Sequence, residues 1–341
     1  MDALDDAPRR LASGKIPVDL LADLLGTLAP PPELRLGPSI GEDACAIDVP
    51  AGVLVVATDP ITFTTDEIGA LSVIVNANDV AVTGARPSWF LAVILVPPQT
   101  TDAVVRDLFG GIRRALAGVG AHLVGGHTEV TPAVNRPIVV GQMLGLTETP
   151  APVRSGGVVP ESVIVQIGPT PIEGAVVLAR EAGGALDELD PLTLRRARAG
   201  FDRPGISVVE PALLAAELGA VALHDPTEGG IAAGLHEMAR ASGVRIQVDR
   251  GSVLWFGPGI AVCRALGADP WSTLASGTLL AAFPTRAADT ALQIMRGRGY
   301  HVAAIGTAES GSGVHDADRG PIPWPKRDEV ARLLLTDGVS S

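Results

Sequence analysis

Cysteine is nearly absent from this chain of 341 residues, which holds only Cys45 and Cys263. Two residues so far apart make neither a disulfide framework nor a metal knuckle, and both read as small core residues rather than nucleophiles. Aromatic side chains are also scarce, 3% of the total with a single tyrosine. The core must therefore come from Ala, Val, Leu and Ile, where Val-rich runs favour buried strands and Ala–Leu stretches favour helices. Positive charge is short too, with 26 Lys and Arg against 38 Asp and Glu and a net charge of −12. Without a basic cluster or interleaved basic and aromatic residues, nucleic acid is excluded as the expected partner. Long apolar runs are missing. Stretches such as Leu91–Pro98 fall far below the roughly 20 residues a membrane span needs, and the opening MDALDDAPRR lacks the apolar segment of a secretion signal. The expectation is a cytoplasmic protein with no membrane and no nucleic-acid partner.

What is present is apolar bulk, 47% of residues, and a length that suggests two domains of ordinary size. The alternation of element types predicts an α/β (α+β) chain. Residues 18–28 carry a helical period ended by Pro30-Pro31-Pro32. Val53–Ala57 predicts a strand, and 67–84 a helix with Ile68, Leu71, Val75 and Val82 on one stripe. Strands are expected over Phe90–Val96, His122–Val124 and Pro137–Leu144, with a helix over Asp102–Gly118. Gly156, Gly157 and Pro160 mark a linker. Beyond it, strands are expected at Ser162–Ile167, Ile246–Val248, Ser276–Phe283 and His301–Ile305, and helices at Gly174–Glu181, Pro211–Leu218, Gly230–Ser242 and Ala287–Gly297. The division read from this is an N-terminal segment over 1–34, a first domain over 35–150, a second over 155–310, and a tail over 311–341 that closes with a short helix.

Five polar motifs punctuate this apolar background: Gly41-Glu42-Asp43, Thr58-Asp59-Pro60, Asn78-Asp79, Gly125-Gly126-His127-Thr128-Glu129 and Asp225-Pro226-Thr227-Glu228-Gly229-Gly230. Carboxylates suit Mg²⁺, which is held by a few of them together with substrate phosphates. Glycine-rich turns at helix starts offer N–H groups to phosphate. The set predicts a magnesium–nucleotide site drawn from both halves of the chain, and an acidic protein that binds ATP needs such a metal to neutralise phosphate. Each motif also has a plainer reading. Asp43 stands at the mouth of a strand or in a solvated turn, with Glu42 in the ligand shell or on the surface. Asp59 closes a strand, as a ligand or as an ordinary Asp-Pro turn. Asn76, Asp79 and Thr83 share one helix face, functional or solvated, with Asn78 beside them. Gly125-Gly126 makes either a phosphate loop or a tight turn. No second His or Cys has zinc-ligand spacing to His127. Thr227 reads as a helix cap, His224 as a packed neighbour of Asp225, Arg86 as a cation at a helix end, and Lys15 as a phosphate clamp or a solvated side chain. Thr170-Pro171-Ile172-Glu173-Gly174 opens a second-domain helix on the side expected to face an acceptor.

The order GEDACAI, TDP, NANDVAVTGARP, GGHTEVTP and HDPTEGGIAAGLHEMA resembles the aminoimidazole-ribonucleotide (AIR) synthase superfamily. That superfamily includes the hydrogenase-maturation protein HypE, selenophosphate synthetase and thiamine-monophosphate kinase, and the flavour here is that of the HypE-like branch. The resemblance covers roughly residues 13–310. It implies a two-domain PurM-like fold, an N-terminal domain whose strands form a dimeric β-barrel with flanking helices, and a C-terminal α/β domain. It implies a homodimer that uses ATP with Mg²⁺ to phosphorylate or dehydrate a small acceptor. The same resemblance implies Asp43, Asp59, Asp79 and Asp225 as metal ligands, and Asn76, Asn78, Gly125, Gly126, His127, Thr128, Gly229 and Gly230 around the nucleotide. Lys15 and Asp225 would act in catalysis. Within the family, a thiamine-monophosphate-type kinase is the alternative; outside enzymes, a non-catalytic ATP-binding sensor or scaffold is. No cysteine precedes Lys15, where selenophosphate synthetases carry their catalytic residue, and the chain ends Asp337-Gly338-Val339-Ser340-Ser341 where HypE proteins end in a cysteine. The expectation is an acceptor that is a free small molecule.

Overall fold

A computed structural model describes residues 18, 22, 34–36, 39–42, 45–49, 52–61, 67–148, 151–316 and 318–334. Lys15, Asp43 and most of the helix expected over 18–28 lie outside the described residues.

The first half forms one six-stranded sheet from β1 (Leu34–Leu36), β2 (Cys45–Val49), β3 (Gly52–Ile61), β4 (Arg86–Val96), β5 (His122–Val130) and β6 (Ile138–Thr147). The order is β1-β2-β3-β6-β4-β5. Neighbours run antiparallel except β4 and β5, which are parallel. Helices α1 (Ile68–Ala81) and α2 (Asp102–Val119) pack on one face. Alternation does the sorting: Val53, Val55, Ala57, Phe90, Ala92, Ile94, Val139 and Met143 point into this core. Every residue of α1 except Ala70 and Ile74 is buried, as expected of a helix enclosed on all sides. The solvated-face reading of Asn76, Asn78 and Asp79 is therefore corrected, because α1 has no solvated face at these positions.

The second half forms a seven-stranded sheet from β7 (Val163–Ile167), β8 (Ala222–His224), β9 (Val244–Val248), β10 (Leu279–Phe283), β11 (Val302–Ser310), β12 (Gly313–Asp316) and β13 (Gly320–Pro321). Its order is β13-β12-β9-β11-β7-β10-β8. The described helices here are α3 (Glu173–Glu181), α4 (Pro191–Arg198), α5 (Val209–Glu217), α6 (Gly230–Ser242), α7 (Gly257–Leu266), α8 (Thr285–Gly297) and α9 (Glu329–Leu334). All five residues of β10 are buried, so both sheet faces are covered, and its side chains alternate between two cores. Leu279, Ala281 and Phe283 join α5, α8 and the first domain's own core. Leu280 and Ala282 pack with α6. One continuous apolar core thus crosses the junction between the halves.

Three differences from the sequence reading matter for the site. β3 runs on to Ile61 with Asp59 paired to Gly141, so Asp59 lies within a strand instead of after one. Gly125-Gly126 is no turn either: β5 continues through both glycines to Val130. The second sheet extends past residue 310, taking in β12 and β13. Helices α4 and α7 carry no clean apolar period. The first is Arg-rich and started by Asp190, whose carboxylate accepts the Thr193 N–H at 2.8 Å; the second hides behind Gly257, Pro258 and Gly259.

Candidate functional site

Asp59 is held by its neighbour on α1. The Asn76 amide Oδ1 accepts from the Asp59 N–H at 2.8 Å, while Nδ2 donates to the Asp59 carbonyl at 3.1 Å and to Ser72 O at 2.8 Å. A buried amide must find such partners, and here it takes the place of a strand. Asn76 therefore spends its polar atoms on the backbone under Asp59. The Thr58 hydroxyl donates to Gly141 O at 2.7 Å and steadies the same stretch.

Asn78 ties the two halves together. Its Nδ2 donates to Ile206 O at 2.9 Å, and its Oδ1 accepts from Val208 N at 2.8 Å. The side chain is fully buried. The expectation that Asn78 contacts a nucleotide is corrected: its amide is engaged by second-domain backbone. Asp79, one residue on, is buried at 9% exposure. Arg86 leaves the helix-end role expected of it, opening β4 and pairing across the junction with Glu210 at 3.0 Å.

In the second half, Glu173 stands in the first turn of α3 and is buried. Burial pushes its carboxyl up to about 7, against the pull of a Ser276 hydrogen bond, and the charges of Asp59 and Glu228 add to the rise. Asp328 behaves alike. Burial lifts it to about 7, although it accepts the Gly229 N–H at 2.7 Å and the Val330 N–H at 2.7 Å, and Glu228 and Glu173 contribute. Asp59, Glu173, Glu228 and Asp328 thus form a chain of carboxyls that feel one another across the junction.

The Asp225–Gly230 motif departs from its sequence reading. Asp225 and His224 are each 2% exposed. The N-cap position of α6 is Gly229, which has no side chain to cap with, where the sequence reading placed Thr227. Thr227 offers its carbonyl instead, to Gly230 N at 3.0 Å and Ala275 N at 3.1 Å. Gly229 and Gly230 have φ of 82° and 68°, and a Cβ on Gly230 would collide with the Trp271 carbonyl oxygen. The N–H groups expected to meet phosphate are already used, Gly229 by Asp328 and Gly230 by Thr227.

Gly125, Gly126, His127 and Thr128 lie in β5 with every residue exposed. Gly126, at φ 146°, sits so close to β4 that a Cβ would strike the Ala92 carbonyl oxygen. These glycines serve strand pairing; the phosphate-loop reading is corrected to an edge strand. His127 Nε2 lies 3.6 Å from Glu129 Oε2 on the exposed strand.

The donor chemistry fits a hard divalent cation, since buried carboxyls that raise one another's proton affinity would gain from one. Among the described residues, no three His, Cys, Asp or Glu gather closely enough to cage a metal, so Asp59, Asp79 and Asp225 do not form such a group. Mg²⁺ bound by one or two carboxylates, phosphates and water needs no cage. Cys263 is buried 3.6 Å from the Thr273 hydroxyl, and burial pushes its thiol up to about 11. It is a core residue, as expected. Glu173 and Asp328 are missing from the sequence-derived site set. A first-turn acid ordinarily reads as a dipole partner, and nothing local marks an Asp that caps a helix 99 positions away. Among the described residues, no helix is long and apolar enough to cross a membrane.

Comparison with known proteins agrees with this architecture. Residues 41–147 match the model of the AIR synthase related protein N-terminal domain, and residues 159–317 that of its C-terminal domain. Carbamoyl dehydratase HypE of Rhodobacter capsulatus is 28% identical over 304 residues, 86% of each chain. Thiamine-monophosphate kinase of Mycobacterium tuberculosis (strain ATCC 25618 / H37Rv) is 28% identical over 260 residues, 72% of this chain and 73% of the kinase. A crystal structure of hydrogenase maturation protein HypE in complex with ATP superposes with a TM-score of 0.70 at 23% identity, covering 86% of this chain and 92% of that one.

Proposed function

The chain belongs to the AIR synthase-related family, and on that premise we propose that it is an ATP- and Mg²⁺-dependent enzyme acting on a free small acceptor between its two domains. The observation that carries this reading is Glu173 at the start of a second-domain helix, whose carboxyl is pushed up to about 7 chiefly by burial, with the charge of Asp59 on the first sheet a smaller addition. A chain with net charge −12 that gathers acids at its domain junction suits a bound cation far better than a bare nucleotide. The names of the relatives support ATP, dehydration in one case and phosphorylation in the other.

In this reading Asp59 and Asp79, with Asp43 and Asp225, would hold the metal, and Lys15 would serve as a phosphate clamp. When bound, the ion would supply positive charge against the negative charge that develops in transfer. Asn76 fixes the Asp59 backbone, so that the carboxylate needs no reorganisation on binding. Glu173, oriented by Ser276 and titrating near neutral pH, is suited to give or take a proton at the acceptor. Buried, high-pKa Cys263 supports an acceptor that is not tethered to it. Kinase chemistry of the thiamine-monophosphate type is the second reading, supported by the 28% identical kinase.

We also propose a homodimer joined through the first sheet. Its outer face carries half-exposed Leu54, Val56, Leu91, Val93, Leu95 and Leu144, and β5 adds Leu123, Val124 and Val130 among the exposed large hydrophobics. Such a surface supports association.

The test is turnover of Mg–ATP with a panel of small hydroxy, amide, carbamoyl and phosphomonoester compounds. Acceptor-dependent formation of ADP is the expected result, and phosphorylated against dehydrated product separates the two chemistries. Tight binding without turnover of any acceptor would favour a sensor.

A further inference from the structure

His224, immediately before Asp225, is held by both ring nitrogens. Nε2 lies 2.8 Å from Glu237 Oε2 on α6, and Nδ1 lies 3.4 Å from Ser155 Oγ. Ser155 opens the short 3-10 turn Ser155–Gly157 that follows the first domain. Its hydroxyl also donates to Leu223 O at 3.2 Å, and Ser155 and His224 are each 2% exposed. The order Ser–His–Glu resembles a nucleophile array, but a hydroxyl so deeply buried, with its proton directed to a carbonyl, is not presented to a substrate. These bonds locate a ring and activate nothing.

The same residues touch the first acidic motif. A Cβ on Gly41 would sit 3.0 Å from the Glu237 carbonyl oxygen, so the Gly41-Glu42 turn rests on the residue whose carboxylate holds His224. Arg154, next to Ser155, donates to Glu42 Oε1 at 3.3 Å, and the Glu42 side chain is only 3% exposed. The turn is joined to α6 by a second route, because Ser242 Oγ accepts from Val158 N at 3.1 Å and donates to Ser155 O at 3.3 Å. Glu42, the linker, His224 and Glu237 make a closed loop of contacts between two motifs 182 positions apart, counting from Asp43 to Asp225.

We propose that Ser155, His224 and Glu237 are positioning residues which set Asp225 in register with the Gly41-Glu42 turn, so that the two motifs present themselves to one metal–nucleotide complex. This rests on the reading of the acids in those motifs as Mg–nucleotide ligands. With both nitrogens bound, the ring fixes the strand end from which Asp225 departs. With Glu237 lying against the Gly41 turn, a shift of one motif is transmitted to the other.

The test uses the full-length protein and calorimetric titration of ATP at a series of MgCl₂ concentrations, with circular dichroism to establish folding. His224→Ala and Glu237→Ala are expected to raise the Mg²⁺ concentration needed for half-saturation by about 10- to 100-fold, the range for groups that orient a metal ligand. ATP binding without Mg²⁺ should stay unchanged. Glu237→Gln, which keeps an acceptor for the ring N–H, should recover most of the loss, and the double alanine variant should be no worse than either single one. A merely structural role would lower metal-free ATP binding in parallel and would give additive losses, and either result overturns the inference. So does an unaltered Mg²⁺ dependence in folded His224→Ala. Should that variant fail to fold, Ser155→Ala, which deletes one oxygen, carries the same comparison with a smaller expected shift. Wild type that ignores Mg–ATP sinks the underlying reading, whereas wild type that binds while the variants are indifferent sinks this inference alone.

Discussion

The side chain of Asn76 brackets the backbone of Asp59, accepting from its N–H at 2.8 Å and donating to its carbonyl at 3.1 Å. A helix residue thereby does for a strand what a neighbouring strand would do. Asn76→Ala would remove both contacts to the half-buried Asp59 backbone, at a total cost of about 1–3 kcal/mol. The expected outcome is a lower urea midpoint with an unchanged slope, together with weaker Mg–ATP binding. A midpoint equal to wild type would show that water replaces the amide.

Glu173 gives a pH dependence with a definite sign. Its folded value, about 7, stands above the ordinary 4.5, so the folded state holds a proton that the unfolded chain releases. The stability it contributes is complete below about pH 4.5 and is lost as pH rises toward 7. Glu173→Gln removes that loss, with a slope difference of at most about 1.4 kcal/mol per pH unit. Urea curves at pH 5 and pH 8 should show the variant gaining on wild type at the higher pH. A difference that stays constant with pH would contradict the assignment.

Asp328 caps α6 from the far end of the chain through its 2.7 Å bond to Gly229 N. Asp328→Ala is expected to cost about 0.5–2 kcal/mol, as loss of a helix cap does, and to speed amide exchange at Gly229 and Gly230. Exchange rates equal to wild type would show that the cap is dispensable.

Mg–ATP should raise the melting temperature by more than ATP without Mg²⁺ does. Ligand at a hundredfold excess over its dissociation constant adds about 2.7 kcal/mol to the folded state. Asp79→Asn, nearly isosteric, should abolish the shift. Identical melting curves with and without Mg–ATP would remove the nucleotide reading.

Light scattering should give twice the chain mass of 34.9 kDa. Val124, 55% exposed on β5, is the place to disturb the association, and Val124→Asp should shift the mass toward one chain without loss of helix signal. A wild-type mass of one chain at micromolar concentration would overturn the dimer.

Much of this protein was legible locally. Val-rich runs and the amphipathic stretch after Thr101 reported their elements because period 2 and period 3.6 are written into neighbouring residues, and the motif order disclosed the family. Glycines disclosed less. Gly125-Gly126 looks the same in sequence whether it turns or lies in a strand, and the close approach of Ala92 on β4, a partner from elsewhere in the chain, decided for the strand. Asn78 carries no local sign that its amide belongs to Ile206 and Val208.

The sequence by itself determined which groups are available: a carboxylate-rich, cation-poor chain with an aliphatic core and two amides on one helix. Only the tertiary structure decided which of them meet. Asp59 and Glu173, His224 and Glu237, Gly229 and Asp328 are brought together by the two sheets and the core that joins them. Hydrogen bonds and desolvation depend on distance in space, and a local pattern carries no record of which distant residue the packing of a sheet will deliver.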